Sequence, residues 1–311
     1  MNEVALRVAI VGYGRVGGSL AKALQSSGAK IVNIGEHPDS PNVARAVDDG
    51  FRVLPVEHMD TDVDLLVVAV PDTEIENVAR VLVESAGAPF GKQDAGLESD
   101  KNGDIVRTAM HLSGRLGLDP LNSLGECGFA RLAWHPIQTF PPGVEGSRFR
   151  GITAGVTADV EAMPTARWLC ELLDVRMLEV PENRRADYHL ASVLASNFLP
   201  LLLDLGADRL KEIAPDRETA LRALWPLVAG MTESLGELPP ELAMTGPVVR
   251  NDLEGVKAHL AVLQPDLRAL YELLTLALVD MAHRSGLLDV EQVKSWVREL
   301  GNGNGRSGRA Q

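Results

Sequence analysis

Three glycines near the start of the chain have the spacing found in sites that bind dinucleotides. Gly12, Gly14 and Gly17 form a G-x-G-x-x-G pattern between an apolar run at 6–11 and apolar residues at helical spacing over 16–24. In this strand–turn–helix setting the glycines permit a tight turn and let a pyrophosphate approach the helix N-terminus, where free N–H groups bind it. The pattern predicts a dinucleotide site. The alternative is a glycine turn in an α/β protein that binds no nucleotide.

An acidic residue follows the motif at the distance at which such folds bind the ribose. Glu36 comes about 20 residues after the glycines, behind a predicted strand over residues 30–34. A carboxylate there accepts hydrogen bonds from both ribose hydroxyls and repels a 2′-phosphate, which favours NAD slightly over NADP. The alternative is that Glu36 points to solvent and that His37 or Arg45 binds a phosphate.

Further cofactor contacts are predicted behind a strongly apolar strand. Residues 63–70 (VDLLVVAV) are apolar on both faces, as is typical of a central strand in a parallel sheet. Ligands of such sheets bind at the carboxyl ends of the strands. The predicted cofactor-binding residues are Gly12, Gly14, Arg15, Val16, Gly17, Glu36, Val70, Pro71 and Asp72.

A histidine and a serine follow two later strands and are candidates for the chemical step. His135 comes directly after a predicted strand over residues 129–134, and Ser113 follows one over residues 105–111. Hydride transfer needs a group that exchanges a proton with the substrate, and imidazole titrates near neutral pH. The serine hydroxyl would bind the substrate or the nicotinamide amide. The alternatives are a histidine bonded to the backbone at a strand end and a serine in an ordinary turn.

Polar residues also interrupt the apolar run that opens the second half of the chain. They are Tyr188, His189, Ser192, Ser196 and Asn197. Buried polar groups need hydrogen-bond partners, which either a substrate or a neighbouring helix supplies. We predict that Asn197 orients the substrate. Hydrogen bonding between helices is the alternative, and His189 alternatively lies at the surface.

An arginine follows a break in the helical pattern at residues 245–247 (TGP). Arg250 is suited to clamp a substrate carboxylate through two hydrogen bonds. The alternative is a surface ion pair for Arg250 and a helix cap formed by Asp252. The predicted catalytic residues are therefore His135, Ser113, Asn197 and Arg250. No metal site is predicted, because Cys127 and Cys170 are the only cysteines and zinc spacing is absent.

Strands alternate with helices over about the first 180 residues, a pattern that predicts a doubly wound parallel sheet of the Rossmann type. We therefore predict an α/β fold with a dinucleotide-binding domain over residues 1–182. Residues 85–104 interrupt the pattern and are rich in Gly, Asp and Ser. They are predicted to form a surface insertion, with an active-site lid as the alternative.

No strand signal remains after residue 182, so the second domain is predicted to be all-helical over residues 183–300. Its first helix is expected over residues 183–213, with a kink at Pro200. The composition of residues 301–311 predicts a disordered tail. Because the helices are apolar on many faces, this domain is expected to bind substrate and to pack against a second copy of the chain.

Composition limits the classes of partner. The 311 residues carry a net charge of −13, which disfavours a nucleic-acid surface and an anionic membrane. The apolar stretches near residues 190–205 and 269–282 contain polar and charged residues, so we predict buried or interface helices and no membrane span. A strand begins within a few residues of the N-terminus without a signal peptide, and a cytoplasmic location is expected.

Four segments in this order resemble a known family. The glycine motif is followed by HPIQTF (135–140), ADYHLASVLASNFLP (186–200) and AMTGPVVRND (243–252). Together they resemble Rossmann-like oxidoreductases whose C-terminal half is known only as a domain of unknown function. That family is similar in plan to pyrroline-5-carboxylate reductase and prephenate dehydrogenase, with a helical domain of the 6-phosphogluconate-dehydrogenase type. The resemblance covers most of the chain and implies NAD(P) binding and a homodimer built by the helical halves.

Prephenate dehydrogenase gives a more distant comparison. Its strand-end serine, H-P segment and later arginine match Ser113, His135 and Arg250. The chain departs from that enzyme at residues 137–140 and in having Asn197, which argues against prephenate as the substrate. We therefore expect an NAD(P)-dependent oxidoreductase acting on a small carboxylate-bearing metabolite of the 2-oxo, hydroxy or imino acid type. The alternative is an NAD(P)-binding sensor or regulatory protein without turnover.

Overall fold

A computed structural model of the chain describes residues 6–85, 106–141 and 148–301. Apart from their first residues, the predicted insertion at 85–104 and the predicted tail at 301–311 lie outside these ranges. The described residues contain the strands β1 (Arg7–Val11), β2 (Lys30–Gly35), β3 (Val53–Leu54), β4 (Leu65–Val68), β5 (Thr108–His111), β6 (Ala130–Pro136), β7 (Thr153–Ala158) and β8 (Arg176–Glu179).

These strands form one sheet in the order β3-β2-β1-β4-β5-β6-β7-β8. Neighbouring strands are parallel except β6 and β7, which pair antiparallel with His135 opposite Gly155. The prediction of an α/β fold with a Rossmann-type sheet is confirmed, but a wholly parallel sheet is wrong at this pair. The described residues between β6 and β7 contain no helix, and an antiparallel pair needs no helical crossover.

The sheet is buried on both faces because successive residues of its central strands are mostly apolar, as in β4, where all four residues are apolar and buried. In β1, Val8 and Ile10 belong to one core cluster, and Ala9 and Val11 belong to the cluster on the opposite face. Helices cover both faces: α1 (Arg15–Ser26), α2 (Asn42–Asp48), α3 (Ile75–Ser85), α4 (Asn122–Glu126) and α5 (Met163–Leu173). The loops at the carboxyl ends of the strands remain as the natural place for a ligand.

The helical segment after β8 differs from the single kinked helix that we expected. It consists of α6 (Arg185–Ser192), a π-helical segment (Val193–Asn197) and α7 (Leu199–Arg209). The irregularity therefore precedes Pro200, which occupies the second position of α7. A proline is tolerated there because the first N–H groups of a helix have no partner within the helix.

The chain divides into two compact units, the first ending at Phe198 and the second beginning at Leu199. The expected boundary at residues 182/183 lies before α6, whereas the structure keeps α6 with the sheet. Arg185 and Tyr188 on α6 form hydrogen bonds to residues of the sheet and its loops, which accounts for this difference.

The second unit is helical throughout the part that the structure describes. Its helices are α7, α8 (Arg217–Glu237), α9 (Pro240–Ala243), α10 (Leu253–Val262), α11 (Pro265–Arg284) and α12 (Val290–Gly301). A small core of α10, α11 and α12 contains Val256, Val279 and Trp296, whereas Trp225 and Leu227 on α8 are exposed. By length and composition alone one helical stretch, Glu182–Arg209, is apolar enough to cross a membrane, with a hydropathy of 1.6.

Candidate active site

The glycine loop between β1 and α1 has the geometry that a dinucleotide phosphate requires. Gly12 has a φ of +94°, and a Cβ there would lie 2.4 Å from the carbonyl oxygen of Ala69. A Cβ on Gly17 would lie 2.1 Å from the carbonyl oxygen of Gly12, so helix and loop approach closely only without a side chain. Around Gly14 a Cβ would meet nothing within 4 Å, which leaves the helix N-terminus open.

The start of α1 is also free of competing groups within the described residues. No side chain caps it and its first turn contains no acidic residue. Its N–H groups and dipole are therefore available to an anion, and Arg15 lies exposed beside them. The residues present at Gly14, Arg15 and Val16 fit the pyrophosphate of a dinucleotide.

Glu36 is placed under this loop and is only 8% exposed, so it does not point to solvent. Its Oε1 accepts hydrogen bonds from the backbone N–H of Tyr13 and, at 3.3 Å, from Asn42 Nδ2. The Arg45 guanidinium lies at the same end of the loop and bonds the carbonyl oxygens of Tyr13 and Gly14. A carboxylate and a guanidinium therefore both stand near the predicted ribose position.

The loop after β4 places a charged residue close to the loop after β5. Val70 is half-buried and Pro71 is exposed, and the Asp72 carboxylate lies 3.5 Å from Nε of Arg115. Both loops follow neighbouring parallel strands, so their carboxyl ends meet at one edge of the sheet. The structure thus brings the predicted contacts at 70–72 to the edge where Ser113 and His135 also lie.

Ser113 is buried and its hydroxyl shapes the loop after β5. Ser113 Oγ accepts hydrogen bonds from the N–H groups of Arg115 and Leu116. The same loop is fixed by His111, whose Nδ1 accepts from Ser113 N at 3.1 Å and whose Nε2 contacts Gly117 O at 2.7 Å. These contacts are those of a turn, and the Ser113 hydroxyl hydrogen stays available to a ligand.

His135, the last residue but one of β6, is bonded to a phenol from α6. Its Nδ1 lies 2.8 Å from the Tyr188 hydroxyl, with the two rings perpendicular at a centroid distance of 5.5 Å. The same hydroxyl accepts from Gly155 N and donates to His135 O, each at 3.1 Å. A second imidazole, that of His189, lies 6.2 Å from the His135 ring.

Two glycines make room for these rings. A Cβ on Gly155, in the middle of β7, would lie 2.2 Å from Tyr188 Cζ. A Cβ on Gly114 would lie 2.7 Å from His189 Cδ2 and 3.0 Å from Nε2 of His135. A glycine inside a strand often marks a close approach by another group, and here the group is the phenol.

Arg185, one turn before Tyr188 on α6, is 1% exposed. Its Nη1 donates to Thr157 Oγ1 at 2.9 Å and its Nη2 donates to Ser113 O at 2.6 Å, while Nε has no hydrogen-bond partner in the part of the chain that the structure describes. Among the described residues no carboxylate lies within ion-pair distance of this guanidinium. A buried positive charge without a paired anion therefore stands beside the histidines.

This environment controls the protonation of the site. Burial, and next the charge of Arg185, lower the pKa of His135 from 6.5 to about 4. Burial also lowers the pKa of His111 and raises the pKa of Tyr188 to about 12. At neutral pH the site therefore holds a neutral imidazole and a neutral phenol.

The other two predicted catalytic residues, Asn197 and Arg250, have exposed side chains. Asn197 is exposed at the end of the π-helical segment, and no hydrogen bond to its side chain is formed within the described part of the chain. Arg250 is exposed in the second unit. Asp252 caps α10, since its Oδ1 accepts from Gly255 N at 2.8 Å.

The sequence analysis missed Arg185 and His111 and did not place Tyr188 in the site. Arg185 carried no periodic or motif signal, and His111 looked like the end of a strand. The signal that could have indicated Tyr188 is Gly155, an isolated glycine in the middle of a strand. Within the described residues no group of three or more His, Cys, Asp or Glu side chains could hold a metal ion.

Comparisons with known proteins agree with this architecture. Residues 152–278 match a domain of unknown function, DUF2520, and residues 4–86 match the NADPH-binding domain of acetohydroxy acid isomeroreductase. The ketol-acid reductoisomerase (NADP(+)) of Xylella fastidiosa is 39% identical over 90 residues, which are 29% of this chain and 24% of that protein. The chain thus matches about a quarter of the length of this curated relative.

Solved structures share the fold over nearly the whole chain. A protein described as a candidate NADP oxidoreductase from Bacteroides fragilis has a TM-score of 0.70 and 22% identity, covering 89% of this chain and 98% of that one. A pyrroline carboxylate reductase from Plasmodium falciparum has a TM-score of 0.52 and 12% identity, covering 96% and 97%. The resemblance inferred from the sequence is confirmed. The preference for NAD finds no support, because the matching N-terminal family binds NADPH.

Proposed function

We propose that this protein is an NAD(P)-dependent oxidoreductase that transfers a hydride between the nicotinamide and a small carboxylate-bearing metabolite. The matching NADPH-binding family and the shared fold support oxidoreduction with a nicotinamide cofactor. The observation that carries the reaction class is His135, a neutral imidazole at the carboxyl edge of the sheet whose Nε2 has no hydrogen-bond partner among the described residues. When bound, the cofactor would supply the hydride exchange at its nicotinamide ring.

The residues of the chain would divide the remaining work. The glycine loop and Arg15 would hold the pyrophosphate, and the loop over residues 70–72 would contact the nicotinamide half of the cofactor. His135 accepts the proton when the substrate hydroxyl or amine is oxidised, because its lowered pKa leaves the imidazole neutral at neutral pH. In the opposite direction the same group returns the proton.

A carboxylate on the substrate suits the positive charge of this edge. Arg115, exposed on the loop after β5, is paired with Asp72, whereas the buried charge of Arg185 has no paired anion among the described residues. We keep Ser113, Asn197 and Arg250 as proposed substrate contacts, with Arg250 clamping the carboxylate and Asn197 orienting the substrate.

The choice between NAD and NADP would be made by Glu36 and Arg45. Glu36 Oε1 is occupied by Tyr13 and Asn42, and its other oxygen can accept from a ribose hydroxyl. Arg45 bonds two backbone oxygens and no carboxylate within the described residues, so it can pair with a 2′-phosphate. Replacing Arg45 by Ala should weaken NADP⁺ about tenfold more than NAD⁺, by about 1.4 kcal/mol. Equal weakening of both nucleotides would remove Arg45 from this role.

The exposed apolar side chains of the helices are proposed to be covered by a second copy of the chain. Leu190, Leu194 and Phe198 recur every four residues and are about half exposed. The apolar stretch Glu182–Arg209 could either span a membrane or form a dimer interface. We propose the interface of a cytoplasmic homodimer, because Arg185 at the start of the stretch is hydrogen-bonded to the loop after β5. Light scattering of the purified chain without detergent should give twice the mass of the monomer.

The function is tested with a panel of hydroxy, amino and imino acids, assayed by nicotinamide absorbance with both cofactors. Calorimetry measures the affinity for each nucleotide in parallel. We expect micromolar nucleotide binding and turnover of at least one carboxylate-bearing compound. Nucleotide binding without turnover of any compound would favour a sensor, and no nucleotide binding would reject both.

A further inference from the structure

The Tyr188 hydroxyl makes three contacts at once, and all three involve the strand pair that carries His135. It lies 2.8 Å from His135 Nδ1, 3.1 Å from Gly155 N and 3.1 Å from the carbonyl oxygen of His135. A phenol has one hydrogen to donate and two lone pairs that accept. Three contacts exhaust this capacity, so the positions of the hydrogens can be deduced.

The backbone contacts decide where the phenol hydrogen lies. Gly155 N–H can only donate, so it takes one lone pair of the phenol oxygen. The His135 carbonyl oxygen can only accept, so the contact at 3.1 Å is a hydrogen bond only if the phenol donates to it. If the phenol donated to Nδ1 instead, two oxygens would face each other at 3.1 Å without a hydrogen between them. The remaining lone pair therefore accepts from Nδ1, which must carry a hydrogen.

We propose that Tyr188 is a positioning residue that holds His135 as the tautomer protonated on Nδ1, so that Nε2 is the atom that exchanges a proton with the substrate. The role of Nε2 in proton exchange rests on the proposed function. The assignment of the tautomer rests only on the hydrogen bonds. A neutral imidazole has one donor nitrogen and one acceptor nitrogen, and fixing the first defines the second. Tyr188 acts through His135 and needs no contact with the substrate.

The surroundings of Nε2 agree with this role. No hydrogen bond to Nε2 is formed within residues 6–85, 106–141 and 148–301, and Nε2 is not among the fully buried atoms that lack a partner. The nearest loop residue, Gly114, has no side chain, and a Cβ there would lie 3.0 Å from Nε2. The lone pair thus faces a space kept open by a glycine.

The charged and titratable groups around His135 and Tyr188 do not change the tautomer assigned to His135. Arg185 lies over the Tyr188 ring at 5.7 Å, and His189, His111 and Asp72 act on His135 through their charges. None of them forms a hydrogen bond to Nδ1. Burial raises the pKa of Tyr188 to about 12, so the phenol keeps its hydrogen at neutral pH.

The test is side-chain ¹⁵N NMR of the full chain without substrate, which distinguishes a protonated from an unprotonated ring nitrogen. The His135 signals are identified by their loss in His135→Gln. In the wild-type protein we expect a hydrogen on Nδ1 and an unprotonated Nε2. A hydrogen on Nε2 would overturn the proposal, and this measurement requires neither turnover nor a folded variant at position 188.

The second arm compares Tyr188→Phe with Tyr271→Phe, which removes the same hydroxyl from a histidine–tyrosine pair in the second unit. We expect Tyr188→Phe to give a mixture of His135 tautomers and to lower kcat about 10- to 100-fold with KM nearly unchanged, because the ring is held less firmly. Tyr271→Phe should leave the His135 signals and kcat unchanged. An unchanged tautomer in folded Tyr188→Phe would show that Tyr188 does not fix it.

Different results would contradict the proton exchange by His135 and the tautomer fixed by Tyr188. If His135 carries its hydrogen on Nδ1 but His135→Gln keeps normal turnover, the proposed proton exchange is wrong and the tautomer assignment stands. If His135→Gln abolishes turnover but Nε2 carries the hydrogen in the wild-type protein, the proposed function stands and the role of Tyr188 is wrong.

Discussion

Two histidine–tyrosine pairs in this chain have nearly the same local geometry. In the first unit His135 Nδ1 lies 2.8 Å from the Tyr188 hydroxyl, with perpendicular rings 5.5 Å apart. In the second unit His259 Nδ1 lies 2.7 Å from the Tyr271 hydroxyl, with perpendicular rings 5.8 Å apart. Distance and ring angle alone do not distinguish them.

The surroundings do distinguish them. The Tyr188 hydroxyl makes two further backbone hydrogen bonds, glycines clear the space on both sides, and Arg185 places a buried charge nearby. His259 is exposed on α10 and bonds across to α11. A histidine becomes a candidate for catalysis when burial and neighbouring charges set its protonation and when one nitrogen stays accessible. The following experiments test this contrast.

The largest effect is expected from Gly155→Ala, which places a methyl group in the space occupied by the Tyr188 ring of the first pair. The new methyl group would lie 2.2 Å from Tyr188 Cζ, so the phenol must leave its position and His135 loses its partner. We expect turnover to fall by about 100-fold or more and the free energy of unfolding to fall by about 1–3 kcal/mol. Kinetics and urea denaturation measure the two quantities.

The matched control is Gly230→Ala on α8, where a Cβ would meet nothing within 4 Å. Because alanine is the better helix former, this variant should gain about 0.5–1 kcal/mol of stability without losing turnover. If Gly155→Ala behaved like the control, the packing of Tyr188 against β7 would have no role in the site.

A second experiment removes the charge beside the first pair. Arg185→Met keeps the volume but deletes the positive charge that helps to lower the pKa of His135, so that pKa should rise from about 4. Two acceptors, Ser113 O and Thr157 Oγ1, lose their donor, and about 1–3 kcal/mol of stability should be lost. An NMR titration of the His135 ring gives the pKa.

Arg185→Lys is the control for this second variant, because it keeps the charge while it changes the hydrogen bonds. We expect its His135 titration to stay closer to that of the wild-type protein. Identical titrations in Arg185→Met and the wild type would mean that burial alone controls the pKa of His135.

A third experiment uses the dependence of stability on pH. An unfolded histidine takes up a proton near pH 6.5, whereas folded His135 does so only near pH 4. Between these values the unfolded state binds more protons, so the free energy of unfolding should fall as the pH drops, by up to about 3 kcal/mol. His111, whose pKa is also lowered by burial, adds to this fall.

The variant for this third experiment is His135→Gln, which should flatten part of the fall measured by denaturation between pH 7 and pH 4. A slope that His135→Gln leaves intact would show that His135 is protonated in the folded protein at the same pH as in the unfolded chain.

The smallest effect is expected from Tyr271→Phe. Its hydroxyl lies beside the exposed His259. We expect less than about 1 kcal/mol of change in stability and unchanged kinetic constants. A loss of turnover comparable to that of Tyr188→Phe would contradict the contrast between the two pairs.

The sequence predicted the features of the site that depend on neighbouring residues, and it did not predict those that depend on distant contacts. The glycine loop, the alternating strands and the placement of His135 at a sheet edge follow from local patterns, because a strand, a turn and a helix occupy consecutive residues. The pairing of β6 with β7 and the position of α6 depend on contacts distant in sequence. Arg185 and Tyr188 reach the site only through that packing, so the pattern around their own positions did not indicate their roles.

The most direct test of the account is a comparison of two single variants, His135→Gln and His259→Gln, with the substrate found in the panel and saturating cofactor. We predict that His135→Gln lowers kcat by about 100-fold or more with nucleotide affinity unchanged, since general acid–base groups contribute about 10²- to 10⁴-fold. His259→Gln should match the wild-type enzyme. Equal turnover of the two variants would contradict the assignment of catalysis to the pair at the sheet edge.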